Sequence, residues 1–299
     1  MNDNILDYVV KPADKYIFLR DVLISHMQVS HSLLIKLKLQ HKIMVNDQVT
    51  YTNYRLQAGD LVTVDITLDE QNHIVPEDIP LDIVYEDPDL LVINKPPGLA
   101  VHPSKGILEG TLANAVTHYW VQQGKSLLFR PINRLDKDTS GLILIGKSQY
   151  AHPAIFRQQK QGSIRRTYLA VVKGIIHEDS GYINQPIAHI DPHCCVRTVD
   201  LSGKPAVTNY IVLKRFRDFT LLSLTLETGR THQIRVHLSQ SGFPIMGDVL
   251  YGKPSPFIGR QALHAFRLVF QQPRTGKNLQ FEATLPLDIA KLLESLQMI

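Results

Sequence analysis

The chain has 299 residues, 44% of them apolar and 20% charged, with a formal net charge of +4. That much apolar residue excludes a disordered chain, and the length fits two cored domains. No run is apolar enough to span a membrane, and the start Met1-Asn2-Asp3-Asn4 lacks the basic and apolar segments of a secretory signal, so a soluble, cytoplasmic protein is expected.

The mild positive charge permits a polyanionic partner without requiring one. The two cysteines, Cys194 and Cys195, are adjacent. Neighbours in sequence rarely form a disulfide, and this is no metal-ligand spacing, so a reducing compartment is expected.

In chain order, residues 16–27 carry Ile17, Leu19, Val22, Leu23 and Met27 at helical spacing. Ser30 and Ser32 are candidate caps for a second helix over 33–39, with Lys36, Lys38 and Lys42 nearby. Residues 44–49 place an Asn46-Asp47 turn between short apolar pieces, which predicts a hairpin. Residues 61–66 alternate as a strand after the Gly59-Asp60 turn. The polar, acidic stretch 69–78, with Pro76, reads as a linker.

Beyond it, strands are predicted at 83–85, 90–93, 142–145, 168–172, 209–213 and 221–226. Helices are predicted at 111–121, 152–159, 232–240 and 287–296. Many strands with few helices point to an α+β fold around a mixed, mostly antiparallel sheet, with a small α/β domain in front of it.

Three segments can carry chemistry. Asn133-Arg134-Leu135-Asp136-Lys137-Asp138-Thr139-Ser140-Gly141 precedes the apolar run 142–145, so it is a loop at a strand mouth. A carboxylate at Asp136, flanked by Arg134 and Lys137, can attack carbon or take a proton; the bland alternative is a salt bridge in a surface turn. In Thr228-Gly229-Arg230-Thr231-His232-Gln233-Ile234-Arg235-Val236-His237, Gly229 allows a turn and Thr231 is a candidate helix cap. The helix start beside Arg230 suits a phosphate, and Arg235 lies one turn on from Thr231. His232 and His237 are not four apart, which argues against a metal pair on one face. Tyr168, opening a strand after Arg165-Arg166-Thr167, is either core or a platform for a base.

Together these residues resemble the RluA-type pseudouridine synthases. Arg134-Leu135-Asp136 with Thr139-Ser140-Gly141-Leu142 is similar to the central motif of that family. Asn94-Lys95-Pro96-Pro97-Gly98-Leu99-Ala100-Val101-His102-Pro103, Gly110-Thr111-Leu112-Ala113-Asn114-Ala115, Arg166-Thr167-Tyr168-Leu169-Ala170, Gly247-Asp248 with Tyr251-Gly252, and Arg260-Gln261-Ala262-Leu263-His264-Ala265 follow the family's order. The resemblance covers residue 80 or so to the C-terminus, and the first unit looks like the alpha-L RNA-binding module. It implies a division into 1–70 (RNA-binding domain), 71–80 (linker) and 81–299 (catalytic domain). The family usually has His before Arg-Leu-Asp, where this chain has Asn133, a change read as loop packing or RNA contact.

The resemblance implies isomerisation of uridine to pseudouridine in ribosomal or transfer RNA, with no cofactor, no metal and no membrane, by a monomer. Asp136 matches the catalytic aspartate, as nucleophile or base. Arg235 matches its partner, and Tyr168 the tyrosine stacked on the flipped base. Arg134, Arg230, Thr231 and His232 are implied in substrate binding, and Leu226 as a wall of the base pocket. Two other readings compete. A non-catalytic RNA-binding relative would be expected to have lost Asp136, Tyr168 or Arg235. A nucleoside glycosidase would need a second, opposed carboxylate, and Asp138 is the sequence neighbour able to serve.

Overall fold

The first unit folds on its own four-stranded sheet in the computed structural model, which describes residues 4–68, 70, 72–104, 106–191 and 194–297. Its elements are β1 (Ile5–Val9), α1 (Leu19–Asp21) running into a π-helical turn (Val22–His26), α2 (His31–Leu39), β2 (Ile43–Val45), β3 (Gln48–Val49) and β4 (Leu61–Asp65), with strand order β1-β4-β2-β3. The hairpin between β2 and β3 turns through Asn46 and Asp47 at φ 50° and 62°. These are residue types that tolerate the left-handed region such a two-residue turn needs. Ser30 caps α2 by accepting from the Leu33 amide at 3.3 Å.

The helix expected over 16–27 begins later. Residues 17 and 18 are extended against the neighbouring loop instead. Leu56 donates to the Ile17 carbonyl at 3.1 Å, and the Leu19 amide donates to Tyr54 at 2.9 Å. Hydrogen bonds from a distant segment thus override the local helical period.

The large sheet begins with β5 (Ile83–Glu86) and β6 (Leu90–Lys95), followed by α3 (Leu112–Gln122), β7 (Ser140–Gly146), α4 (Ala151–Lys160) and β8 (Arg165–Lys173). After β9 (Ser180–Asn184), the short hairpin β10 (Ile187–His189) and β11 (Arg197–Val199) stands apart as a separate two-stranded ribbon. The chain then returns through β12 (Val207–Arg215), β13 (Phe219–Leu226), α5 (Gln233–Gln240), β14 (Leu263–Gln271), β15 (Asn278–Glu282) and α6 (Leu287–Gln297).

The sheet order is β5-β6-β7-β14-β8-β13-β12-β9, with β15 on β14; β7 and β14 run parallel and the other pairs antiparallel. β7 is buried along its whole length, as a central strand covered on both faces must be. Ile143 and Ile145 join the core that also holds α3, α5 and α6. Leu142 and Leu144 face the core beneath α4.

Gly141 is fixed by this pairing. It sits at φ +112°, and a Cβ there would collide with the Ala265 carbonyl of β14.

The stretch joining the two units lies against α3. The Asn72 amide reaches the Leu127 carbonyl at 2.9 Å, and Asn114 reaches Val75 at 2.9 Å. Asp69 and Gln71 of the expected linker lie outside the described residues. The units also touch: Tyr150 at the start of α4 is buried in the first unit's core, and Arg274 donates to the Ile5 carbonyl at 2.9 Å. No helix among the described residues is long and apolar enough to cross a membrane.

Candidate active site

The loop of residues 133–139 is held from three directions before β7 begins. Thr139 closes a turn onto the Asp136 carbonyl at 3.1 Å. Lys95, fully buried, donates to the carbonyls of Pro96, Leu99 and Lys137 at 2.8, 2.8 and 2.9 Å. Burial pushes its ammonium down to about 7, against the pull of Asp138. Arg260, anchored on Asp288 at 2.6 Å, donates to the Asp138 carbonyl at 2.9 Å. With its backbone carbonyls tied to buried cations, the loop presents the Asp136 side chain in one place.

Asn133 extends this bracing. Its amide donates to Leu142 at 3.1 Å and accepts from the Leu144 amide at 2.8 Å, which continues the ladder along β7. The residue is buried, and both of these side-chain bonds go to the backbone of β7.

Asp136 meets Arg235, which comes from a segment 99 residues away, at 2.9 Å through Nη1. The other edge of that guanidinium is occupied by Asp248, with Nε to Oδ2 at 2.7 Å and Nη2 to Oδ1 at 2.8 Å. Asp248 has no exposed surface, and it also accepts from the amides of Leu250 and Tyr251 at 3.0 and 3.1 Å. Burial opposes the charge on Arg235, but the bonds and charge of Asp248, and then of Asp136, outweigh it and raise the pKa of the guanidinium. A bidentate carboxylate therefore fixes the arginine, and the arginine fixes Asp136.

His232 approaches from the other side, with Nε2 3.8 Å from Asp136 Oδ1 and Nδ1 2.8 Å from the Tyr251 hydroxyl. Burial lowers its pKa, which keeps the ring neutral at pH 7. The Tyr251 hydroxyl in turn accepts from the Arg197 amide of β11 at 2.8 Å.

Arg134, Asp136, Tyr168, Leu226, Arg230 and His232 line one open cleft. Arg235 forms part of its floor. Tyr168 is almost wholly buried, and burial raises its phenol pKa, so the hydroxyl keeps its proton. A larger cavity lies beneath residues 244–257, but its charged lining residues are Lys173 and Lys253, with no carboxylate. The smaller cleft brings a carboxylate, three arginines, a histidine and a tyrosine together.

One expectation is corrected. Thr231 neither caps α5 nor lines the cleft. The cap position is His232, at φ 57°, and the Gln233 side chain accepts from the Arg230 amide at 3.0 Å and from the Thr228 hydroxyl at 2.8 Å. The glutamine thus braces the turn of residues 228–230, and among the described residues no side chain caps the first amides of α5.

His237 is buried on the far side, bonded to Thr208 and to the Gln185 carbonyl, both at 2.9 Å. Among the described residues no three His, Cys, Asp or Glu side chains converge as metal ligands would. Asp248 and Tyr251 carry no role legible in the chain beyond the motif Gly247-Asp248 with Tyr251-Gly252; the fold brings them to Arg235 and His232.

The RNA pseudouridylate synthase family profile matches residues 89–240. The chain belongs to the RluA-type RNA pseudouridine synthases. Among similar proteins, the uncharacterized RNA pseudouridine synthase YlyB of Bacillus subtilis (strain 168) is 46% identical over 261 residues, covering 86% of each chain. The ribosomal large subunit pseudouridine synthase D of Pasteurella multocida (strain Pm70) is 38% identical over 273 residues, covering 86% of this chain and 84% of its own. Human RNA pseudouridylate synthase domain containing 1 superposes with a TM-score of 0.56 at 25% identity, over 77% of this chain and 98% of its own. This pseudouridine synthase is thus an isomerase with the α+β fold of its relatives.

The two-carboxylate glycosidase reading fails on geometry. The second carboxylate near Asp136 is Asp248, which is sealed from the cleft and saturated by Arg235. Asp138 is not part of the cleft lining.

Proposed function

We propose that this synthase isomerises uridines in structured RNA, foremost large-subunit ribosomal RNA in the cytoplasm, with Asp136 as the catalytic carboxylate. The observation that carries the reading is the Asp136–Arg235–Asp248 chain of charges opening onto a cleft beside Tyr168. The ribosomal name of several relatives favours that substrate over transfer RNA.

A base inside a helix cannot be turned over, so the uridine must leave the stack, at a cost of a few kcal/mol. Stacking on Tyr168 returns roughly 1–3 kcal/mol of that. Arg134, exposed at the mouth, is suited to hold the vacated helix open, with Arg230 on the backbone and Leu226 as an apolar wall. The bond from the anomeric carbon to N1 then breaks, the uracil rotates, and a bond forms to C5. C5 gives up its proton and N1 gains one, so the atoms balance. Asp136 acts either by attack on the anomeric carbon or by taking the adjacent sugar proton. Both roles need its anion close to the ribose, and a preorganised partner holds that charge without reorganisation during the reaction.

Mapping pseudouridines by chemical derivatisation in a strain lacking the gene should show one or a few large-subunit sites lost, and restored by the wild-type gene. Sites lost only from transfer RNA would move the substrate. No lost site would return the protein to the class of RNA-binding relatives without activity.

We further propose that residues 1–70 form an alpha-L-type RNA-binding domain joined through 71–80 to the catalytic domain, 81–299. Lys36, Lys38 and Lys42 on and after α2 support this. Because Tyr150 is packed in that core, a point change is a cleaner probe than truncation. Lys38→Gln should make the salt dependence of RNA binding shallower by about 0.7–0.9 in log K per log salt. An unchanged slope would argue that α2 does not face RNA.

A further inference from the structure

Arg166 on β8 is a buried cation with no counter-ion. It is 8% exposed, its Nε is fully enclosed without an acceptor, and among the described residues its side chain enters no ion pair and no hydrogen bond. Arg235 holds two carboxylates and Arg260 holds Asp288. An enclosed charge left without a partner is costly, and folded proteins rarely keep one unless a ligand supplies the opposite charge.

The position of Arg166 says what that ligand is. It lies two residues before Tyr168 on the same strand, so both side chains leave the same face of the sheet. Its guanidinium lies against the turn of residues 228–230, which contributes Arg230 to the cleft. A Cβ on Gly229 would stand 3.3 Å from Arg166 Nη1 and 3.6 Å from Nη2. Gly229 has no left-handed φ, so the backbone does not demand glycine there. What glycine provides is room directly over the guanidinium, where a backbone or a ligand can come close.

We infer that Arg166 is a phosphate-binding residue, taking a non-bridging oxygen of the RNA phosphodiester next to the uridine that turns out against Tyr168. The inference rests on the RNA reading above and adds a named contact to it. A planar guanidinium offering its two terminal nitrogens suits a phosphate in two-point contact. Its guanidinium stands behind the turn of residues 228–230, next to Arg230 of the cleft, so an anion held by Arg230 comes close to it. The cation is thus kept unpaired in the free protein and neutralised only when the backbone of the flipped nucleotide arrives.

Arg166→Met keeps the unbranched apolar stem of the side chain and removes the charge. Three results are expected. The RNA-free variant should melt no lower than the wild type, because an uncompensated buried charge has been removed. Its binding to a large-subunit ribosomal RNA transcript should weaken, with a salt slope shallower by about 0.7–0.9. Inorganic phosphate should raise the melting midpoint of the wild type more than that of the variant.

Arg166→Lys, which keeps the charge without the fork, should recover the slope but only part of the affinity. A variant that melts lower and binds RNA with an unchanged slope would reveal a structural arginine and overturn the inference. A phosphate response lost in the variant while the RNA slope stays the same would assign the site to free phosphate and overturn the RNA contact. Wild-type protein that binds the transcript with this slope yet forms no pseudouridine would count against the proposed activity and leave the phosphate contact standing.

Discussion

Asp136→Asn is expected to lower pseudouridine formation by about 10³-fold or more, while RNA affinity stays within a few-fold. The asparagine has the same shape, and its carbonyl can still accept from Arg235 Nη1. Arg235 itself stays fixed by Asp248, so the cleft should keep its form. Asp136 is half-buried and not sealed, which limits the effect on folding. What is lost is the anion, and neither attack on the anomeric carbon nor removal of a sugar proton can proceed from a neutral amide. The measurement is single-turnover conversion of a ribosomal RNA transcript, read by mass-shift mapping, beside a filter-binding titration. Turnover close to wild type would falsify the assignment of Asp136.

Removing Arg235 should do more damage, because two carboxylates depend on it. Arg235→Met is expected to abolish activity and to destabilise the fold by about 3–5 kcal/mol, the range for breaking one side of a buried ion pair. The large term is Asp248, which has no exposed surface and would keep only the backbone amides of Leu250 and Tyr251 as donors. The second term is Asp136, which would lose the contact that aims it.

The double variant Arg235→Met with Asp248→Leu separates the two effects. It removes the stranded charge and should regain much of the stability, as buried ion pairs replaced by apolar residues often do. It should remain inactive. Denaturant unfolding and conversion of the same transcript measure both quantities. Wild-type stability in the single variant would show that Asp248 is not held as the distances indicate, and activity in the double variant would show that Arg235 does not orient the reaction.

Much of this arrangement was legible in the chain. The alternation in 221–226, the apolar run after Gly141 and the capped pattern at 111–121 each correspond to an element, because strand and helix periods are local properties. Asp136, Tyr168 and Arg235 stand out in the chain through their motifs, and the fold brings the three to one cleft. Threonine is a common cap, but the cap position of α5 falls on His232, whose left-handed backbone is set only once the turn of residues 228–231 has closed. The helix over 16–27 was drawn too long because the period of its apolar residues carries no trace of the loop at 54–56 that holds residues 17 and 18 extended.

β14 was not foreseen at all. Leu263-His264-Ala265-Phe266-Arg267-Leu268 mixes residues with good helix propensity, and its burial follows from lying between β7 and β8.

By itself the sequence determined the periodicity of its elements, the loop that carries Asp136, and the family through motifs in a fixed order. Only the tertiary structure decided which charge meets which. It set Arg235 between Asp136 and Asp248, turned His237 away from His232, and left Arg166 without a counter-ion. The physical reason is range. Backbone propensity and hydrophobic period act over a few residues and can be read along the chain. The strength of a charge interaction depends on separation in space and on exclusion of water, and both exist only once distant strands have packed.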